Sequence, residues 1–213
     1  RGSRRRLGDA PPKENLAAAL LRLSGRDRRF RLLDPLCGAG TIAIEAAQWA
    51  QGRAPGVDRA LGAARWPLWD DTLRRRYDEL VGSARARPLA ASPPIYAFDA
   101  DDRAAAATEA NARDAGTPLV VGVRDARRLD APDALGAIVT NPPYGERLEG
   151  GLSFYRDLAR SLHALRPHRL ALLAGSPDIR RAFGEPRRWV AVRNGPLPCE
   201  VLVYEQPARG PRE

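Results

Sequence analysis

Short apolar runs alternating with helix-patterned stretches constrain this chain more than any other feature. The runs at 30–34, 95–99, 119–124, 137–141 and 169–174 have strand length, and helical composition fills 14–23, 41–51, 103–115, 152–165 and 176–183. Strands separated by helices pair in parallel, because the intervening helix is the crossover that returns the chain. The pattern therefore predicts an α/β fold, a mostly parallel sheet with helices on both faces. Two last runs, 189–193 and 199–205, flank Asn194-Gly195-Pro196-Leu197-Pro198 and read as a C-terminal antiparallel hairpin, which brings the sheet to seven strands. Gly25 and Gly116 supply helix stops, and Ser176 with Pro177 just inside supplies a helix start. Residues 53–94 are the least regular; Trp66, Trp69 and a helical stretch at 70–80 suggest a helical insertion with an aromatic anchor.

At 213 residues and 44% apolar content, the chain can bury a proper core as one domain. No apolar stretch approaches 18 residues and there is no signal-peptide pattern, so neither a membrane span nor secretion is expected. Cys37 and Cys199 are too few for a disulfide framework and lack ligand spacing, so no metal is expected and a reducing, cytoplasmic setting fits. The chain starts at Arg1 and contains no Met, which reads as a piece of something longer. Net charge is +9, concentrated at the start: ten basic residues against three acids up to Arg31. Residues 1–12 read as a basic linker, and such an arm attracts a polyanion by releasing counterions from phosphates. Arginine usage is biased, since Lys13 is the only lysine, but that bias does not explain the net excess.

A parallel sheet of this kind takes ligands beyond the carboxyl ends of its strands. The first strand delivers Asp34 and the loop Cys37-Gly38-Ala39-Gly40-Thr41. Its two glycines let the backbone pass close to a ligand, and the following helix aims N–H groups at it. With Ala43 in third place the loop also matches a relaxed dinucleotide pattern, so alone it does not separate the two. The second strand ends at Asp99, followed by Asp101, where a carboxylate accepts ribose hydroxyls; the third ends at Asp125-Ala126, where one can accept an exocyclic adenine amine. Any one of these fits a solvated turn. Together they describe a pocket for neutral adenosine with a cationic attachment, since a pyrophosphate is repelled by acids.

The fourth strand delivers Asn141-Pro142-Pro143-Tyr144. As a bare string it is a turn. As a site it sets an amide, a rigid bend and an aromatic ring where a planar, amine-bearing group could be held during transfer to its nitrogen. DPLCGAGT at 34–41, FDAD at 98–101, RDA at 124–126 and NPPY at 141–144 resemble successive motifs of S-adenosylmethionine-dependent amino-methyltransferases. PPKENLAAALL (11–21), NPPYGERL (141–148), NGPLPCEVLVYE (194–205) and RWPLWDD (65–71) are similar to the catalytic domain of bacterial ribosomal RNA guanine-N2 methyltransferases of the THUMP-containing kind.

The resemblance implies a Rossmann-like methyltransferase fold, S-adenosylmethionine as cofactor with S-adenosylhomocysteine as product, RNA as partner, and an upstream THUMP-type domain. Asp34, Gly38, Gly40 and Thr41, with Cys37 and Ala39 in the same loop, would line the methionine part; Asp99 with Asp101 would hold the ribose, and Asp125 with Ala126 the adenine. Asn141, which would also border the cofactor, and the Pro142 carbonyl would accept from the target amine, Pro143 would stiffen the bend, and Tyr144 would stack on the base. Glu146 and Arg147 could meet the base edge or a phosphate, or form a solvated pair. Glu45 reads as a hydrogen-bonding residue near the site, Cys37 as an inert small side chain, His163 and His168 as surface residues, and Trp189 and Tyr204 as sheet core or edge. Adenine N6 in DNA or RNA and a protein glutamine amide are rival acceptors for the same motif. A silent RNA-binding module and, more remotely, a dehydrogenase are rivals of other classes.

Overall fold

A computed structural model describes residues 12–25, 27–87, 90–130, 136–144, 151–166 and 169–205. The linker at 1–11, and Glu146, Arg147 and His168, lie outside the described residues. The chain runs α1 (Glu14–Leu23), β1 (Leu32–Asp34), α2 (Thr41–Gln51), α3 (Asp71–Ala86), β2 (Ile95–Asp99), α4 (Asp102–Asp114), β3 (Val120–Val123), β4 (Ala137–Thr140), α5 (Gly151–Ala164), β5 (Arg169–Ala174), α6 (Pro177–Phe183), β6 (Arg188–Asn194) and β7 (Leu197–Glu205). The seven strands order as β3-β2-β1-β4-β5-β7-β6. The first five are parallel, while β7 is antiparallel to both β5 and β6. The order reverses between β1 and β4, which opens a crevice at their carboxyl ends.

Alternation along the strands splits the core in two, since successive side chains leave opposite faces. Leu32, Ala137, Val139, Ala171, Leu173, Val201 and Val203 face α1 and α2. Leu33, Ile138, Leu170, Leu172, Leu202 and Tyr204 face α5 and α6. Each large side chain so buried contributes about 1.5–3 kcal/mol. Helix α2 lies close to the sheet because Ala43, Ala46, Ala47 and Ala50 are its buried residues beside Thr41, Ile42 and Ile44. Helix α1 stops as expected: Ser24 donates to the Leu21 carbonyl at 2.6 Å and Gly25 takes φ +67.

Three expectations need correction. The first strand begins at Leu32 rather than at Phe30, because residues 27–30 close a turn (Phe30 N–H to the Asp27 carbonyl, 3.1 Å) that leaves Phe30 half exposed. His163 is half-buried rather than freely exposed: its ring lies 5.7 Å from Phe183 and 5.9 Å from Tyr204, and burial holds its pKa below the usual histidine range. In the insertion the aromatic anchor is internal: Trp69 meets the edge of Tyr77 on the insertion's own helix at 5.8 Å, while Trp66 is 66% exposed. Its helix α3, capped by Asp70, buries no residue at all.

Candidate active site

The site is assembled where β1, β2, β3 and β4 end. The glycine loop at 37–41 is held from both sides. Cys37 N–H donates to the Phe98 carbonyl at 2.9 Å and Gly40 N–H to the Cys37 carbonyl at 2.8 Å. Gly38 N–H donates to the Asp99 carboxylate at 2.9 Å, linking the loop to the tip of β2. From α4, the Thr108 hydroxyl donates to the Gly38 carbonyl (2.8 Å) and the Asn111 amide to the Ala39 carbonyl (2.9 Å). Both side chains are buried, and their i, i+3 spacing puts them on one helix face. Glycine is required at position 40: φ is +83, and a Cβ would stand 2.8 Å from the Thr108 methyl. At Gly38 a Cβ would meet nothing within 4 Å, so space beside the loop is open. Thr41 starts α2, whose first N–H groups carry the helix's positive end.

Asp34 ends β1 just before this loop and is 1% exposed. Thr140 at the end of β4 donates to its Oδ1 at 2.7 Å, tying β4 to β1. Burial pushes its pKa up to about 7, against the pull of the Thr140 bond and with a push from Asp99. Cys37 is likewise buried, its thiol pushed well up by desolvation, which keeps it from being a nucleophile.

The other acids are used locally. Asp99 Oδ1 accepts from Asp101 N–H at 3.1 Å, and Asp101 itself caps α4 by accepting from Arg103 N–H. Asp125 caps the turn at Ala126–Arg128, and its two oxygens face the Arg127 guanidinium at 2.7–3.2 Å. That bond holds the Asp125 carboxyl below the usual range. Arg127 also lies 5.6 Å from the Phe154 ring. A ligand reaching Asp125 must therefore share it with Arg127, a pairing two residues along the chain that the strand-end argument overlooked.

At β4 the situation reverses. The Oδ1 of Asn141 is buried and has no hydrogen-bond partner among the described residues. The other such atom, Gln51 Oε1, sits at the last residue of α2. A buried acceptor left unpaired costs about 1–3 kcal/mol, so one beside a ligand crevice is informative. The rest of the turn is pinned. The buried Tyr155 hydroxyl of α5 donates to the Pro143 carbonyl at 2.7 Å, Asn194 donates to the Tyr144 hydroxyl at 2.9 Å, and the Tyr144 ring lies against Gly175. Thr108, Asn111, Tyr155, Gly175 and Asn194 were all missed from the sequence; only the Thr108/Asn111 spacing on an alanine-rich helix carried a signal. Among the described residues no helix is long and apolar enough to cross a membrane.

Five parallel strands, extended beside the fifth by an antiparallel pair, make the Rossmann-like methyltransferase architecture, with its crevice at the strand ends. Residues 1–202 match the RMKL-like methyltransferase domain family, and the chain belongs to that family. It is 39% identical over 220 residues to the ribosomal RNA large subunit methyltransferase K/L of Chromohalobacter salexigens, covering 95% of this chain and 30% of that protein. Among solved structures, SMU.472, crystallised in complex with SAH, matches with TM-score 0.80 and 27% identity over 95% of this chain and 55% of its own. A protein from Listeria monocytogenes described as a predicted N6-adenine-specific DNA methylase matches with TM-score 0.78 and 27% identity, over 97% and 54%. The chain thus spans about a third to a half of the relatives it matches.

Proposed function

We propose that this domain transfers a methyl group from S-adenosylmethionine to the exocyclic N2 amine of a guanine in large-subunit ribosomal RNA. The observation that carries the reading is the buried Oδ1 of Asn141 at the end of β4, which has no partner among the described residues. An amide oxygen without a partner accepts from an amine N–H, and the Pro142 carbonyl next to it offers a second acceptor. Two acceptors on one NH2 group draw electron density toward nitrogen and orient its lone pair. The loop fits the cofactor: open space beside Gly38, a helix start at Thr41, and acids at three strand ends suit a neutral nucleoside with a cationic arm. When bound, S-adenosylmethionine supplies an electrophilic methyl on a sulfonium. Gly38, Ala39, Gly40 and Thr41 would hold its methionine part, Asp99 with Asp101 the ribose, and Asp125 with Ala126 the adenine. Asp34, buried at the end of β1, would line the base of the methionine site.

No strong base is needed, because the nitrogen proton becomes acidic once the nitrogen is alkylated. Orientation of the two reactants supplies much of the rate gain. The base must leave its stack to reach Asn141, which favours a looped or flipped target.

RNA as substrate is supported by the name of the Chromohalobacter relative and by the excess positive charge. Adenine N6 is the second reading, favoured by the description of the Listeria relative and by Asn141, which serves any amine equally. Tritium transfer from labelled cofactor into unmodified large-subunit RNA, followed by digestion to nucleosides, decides between them. Label in N2-methylguanosine is expected; label in N6-methyladenosine, in protein glutamine or nowhere overturns the assignment.

A further inference from the structure

The aromatic ring of the acceptor turn is set by residues from outside the strand-end segments that line the crevice. Tyr144 lies so close to Gly175 that a Cβ there would stand 2.6–2.7 Å from ring atoms Cδ2, Cε2 and Cγ. Its hydroxyl accepts from Asn194 Nδ2 at 2.9 Å, across 50 residues of sequence. Asn194 is 5% exposed and is the last residue of β6, paired in register with Leu197 of β7. Strand β7 in turn pairs with β5 as far as Ala174, the residue before Gly175. One rigid pair of strand ends therefore supplies both the surface under the ring and the donor at its far tip. A contact at the face limits tilt, and a bond at the para oxygen limits swing.

We propose that Asn194 is a positioning residue for the methyl acceptor: through the Tyr144 hydroxyl it locks the ring on Gly175, so that the acceptor base meets the ring's free face at one angle. The proposal rests on reading the crevice as an amino-methyltransferase site. It gives the closing hairpin a role in catalysis at a distance from the cofactor, since small misplacements of reacting groups carry large rate penalties.

Asn194→Ala and Tyr144→Phe delete the same bond from its two ends, and the Phe variant keeps the ring. Each is expected to lower kcat/KM for RNA by about tenfold, with cofactor affinity measured by calorimetry unchanged. The double variant is expected to be no worse than either single one; additive losses overturn the proposal, because they mean that Asn194 acts elsewhere. A second readout needs no RNA. In protein labelled with fluorotyrosine, the Tyr144 fluorine signal, assigned by its absence in Tyr144→Phe, should shift or broaden in Asn194→Ala while the melting temperature changes little. An unmoved signal refutes the clamp. A wild-type protein that transfers nothing to RNA, with the fluorine result as expected, sinks the assigned function and leaves the clamp standing.

Discussion

The glycine loop and the acceptor turn sit at the ends of adjacent strands, β1 and β4, yet they are finished in opposite ways. Around the loop, Gly38 N–H and the carbonyls of Gly38 and Ala39 are tied to Asp99, Thr108 and Asn111, and a methyl-sized addition at Gly40 has no room. In the turn, the frame is just as firmly held at Pro143 and Tyr144, but the group at its centre, Asn141 Oδ1, has no hydrogen-bond partner among the described residues. A cradle for a ligand gains from being complete before the ligand arrives, since ordering costs are then already met. An acceptor that must bond a reacting amine has to be free until that moment.

Asp34, a carboxyl buried at the end of β1 just before the loop, gives the largest expected effect. Its folded pKa is raised to about 7 by burial, above the roughly 3.9 of an unfolded chain. Native protein then holds its proton where unfolded chain has lost it, so the stability tied to protonated Asp34 is fully present below about pH 4. That contribution falls as pH rises and is gone above about pH 7. Relative to Asp34→Asn, wild type should lose stability across that window, read by urea titration at several pH values; a pH-independent difference would break the burial argument. Gly40→Ala should follow, destabilising by about 2–4 kcal/mol through the positive φ and the Thr108 clash, with cofactor binding weakened in calorimetry. Thr108→Val removes one donor and keeps shape; about 1 kcal/mol of stability should go, again with weaker cofactor binding. Trp66→Ala on the exposed insertion should stay within about 0.5 kcal/mol by thermal melt, marking where neither kind of finish applies.

The sequence placed helix α2 and strands β2 and β5 residue for residue, because glycines, prolines and alternation mark their ends. It also brought the right strand ends together. What it left out are partners joined by tertiary distance. Tyr155 reads as one aromatic on a helix, Gly175 as a strand exit and Asn194 as a hairpin residue; only the register of β7 on β5 unites the last two beside Tyr144. The Arg127 grip on Asp125 was missed for a different reason: strand-end reasoning asks what a carboxylate could accept, not what already occupies it. His163 was misjudged because Arg160, Arg166 and Pro167 stand near it in sequence while its neighbours in space are rings.

The unpaired oxygen of Asn141 is the centre of the account, and Asn141→Ala tests it most directly when methyl transfer and cofactor affinity are measured on the same preparation. Transfer is expected to fall by at least about a hundredfold, with the cofactor dissociation constant within about twofold of wild type, because the loop's bonds do not involve residue 141. Transfer that survives the substitution, or cofactor binding that falls along with it, would contradict the assignment of Asn141 as acceptor for the reacting amine.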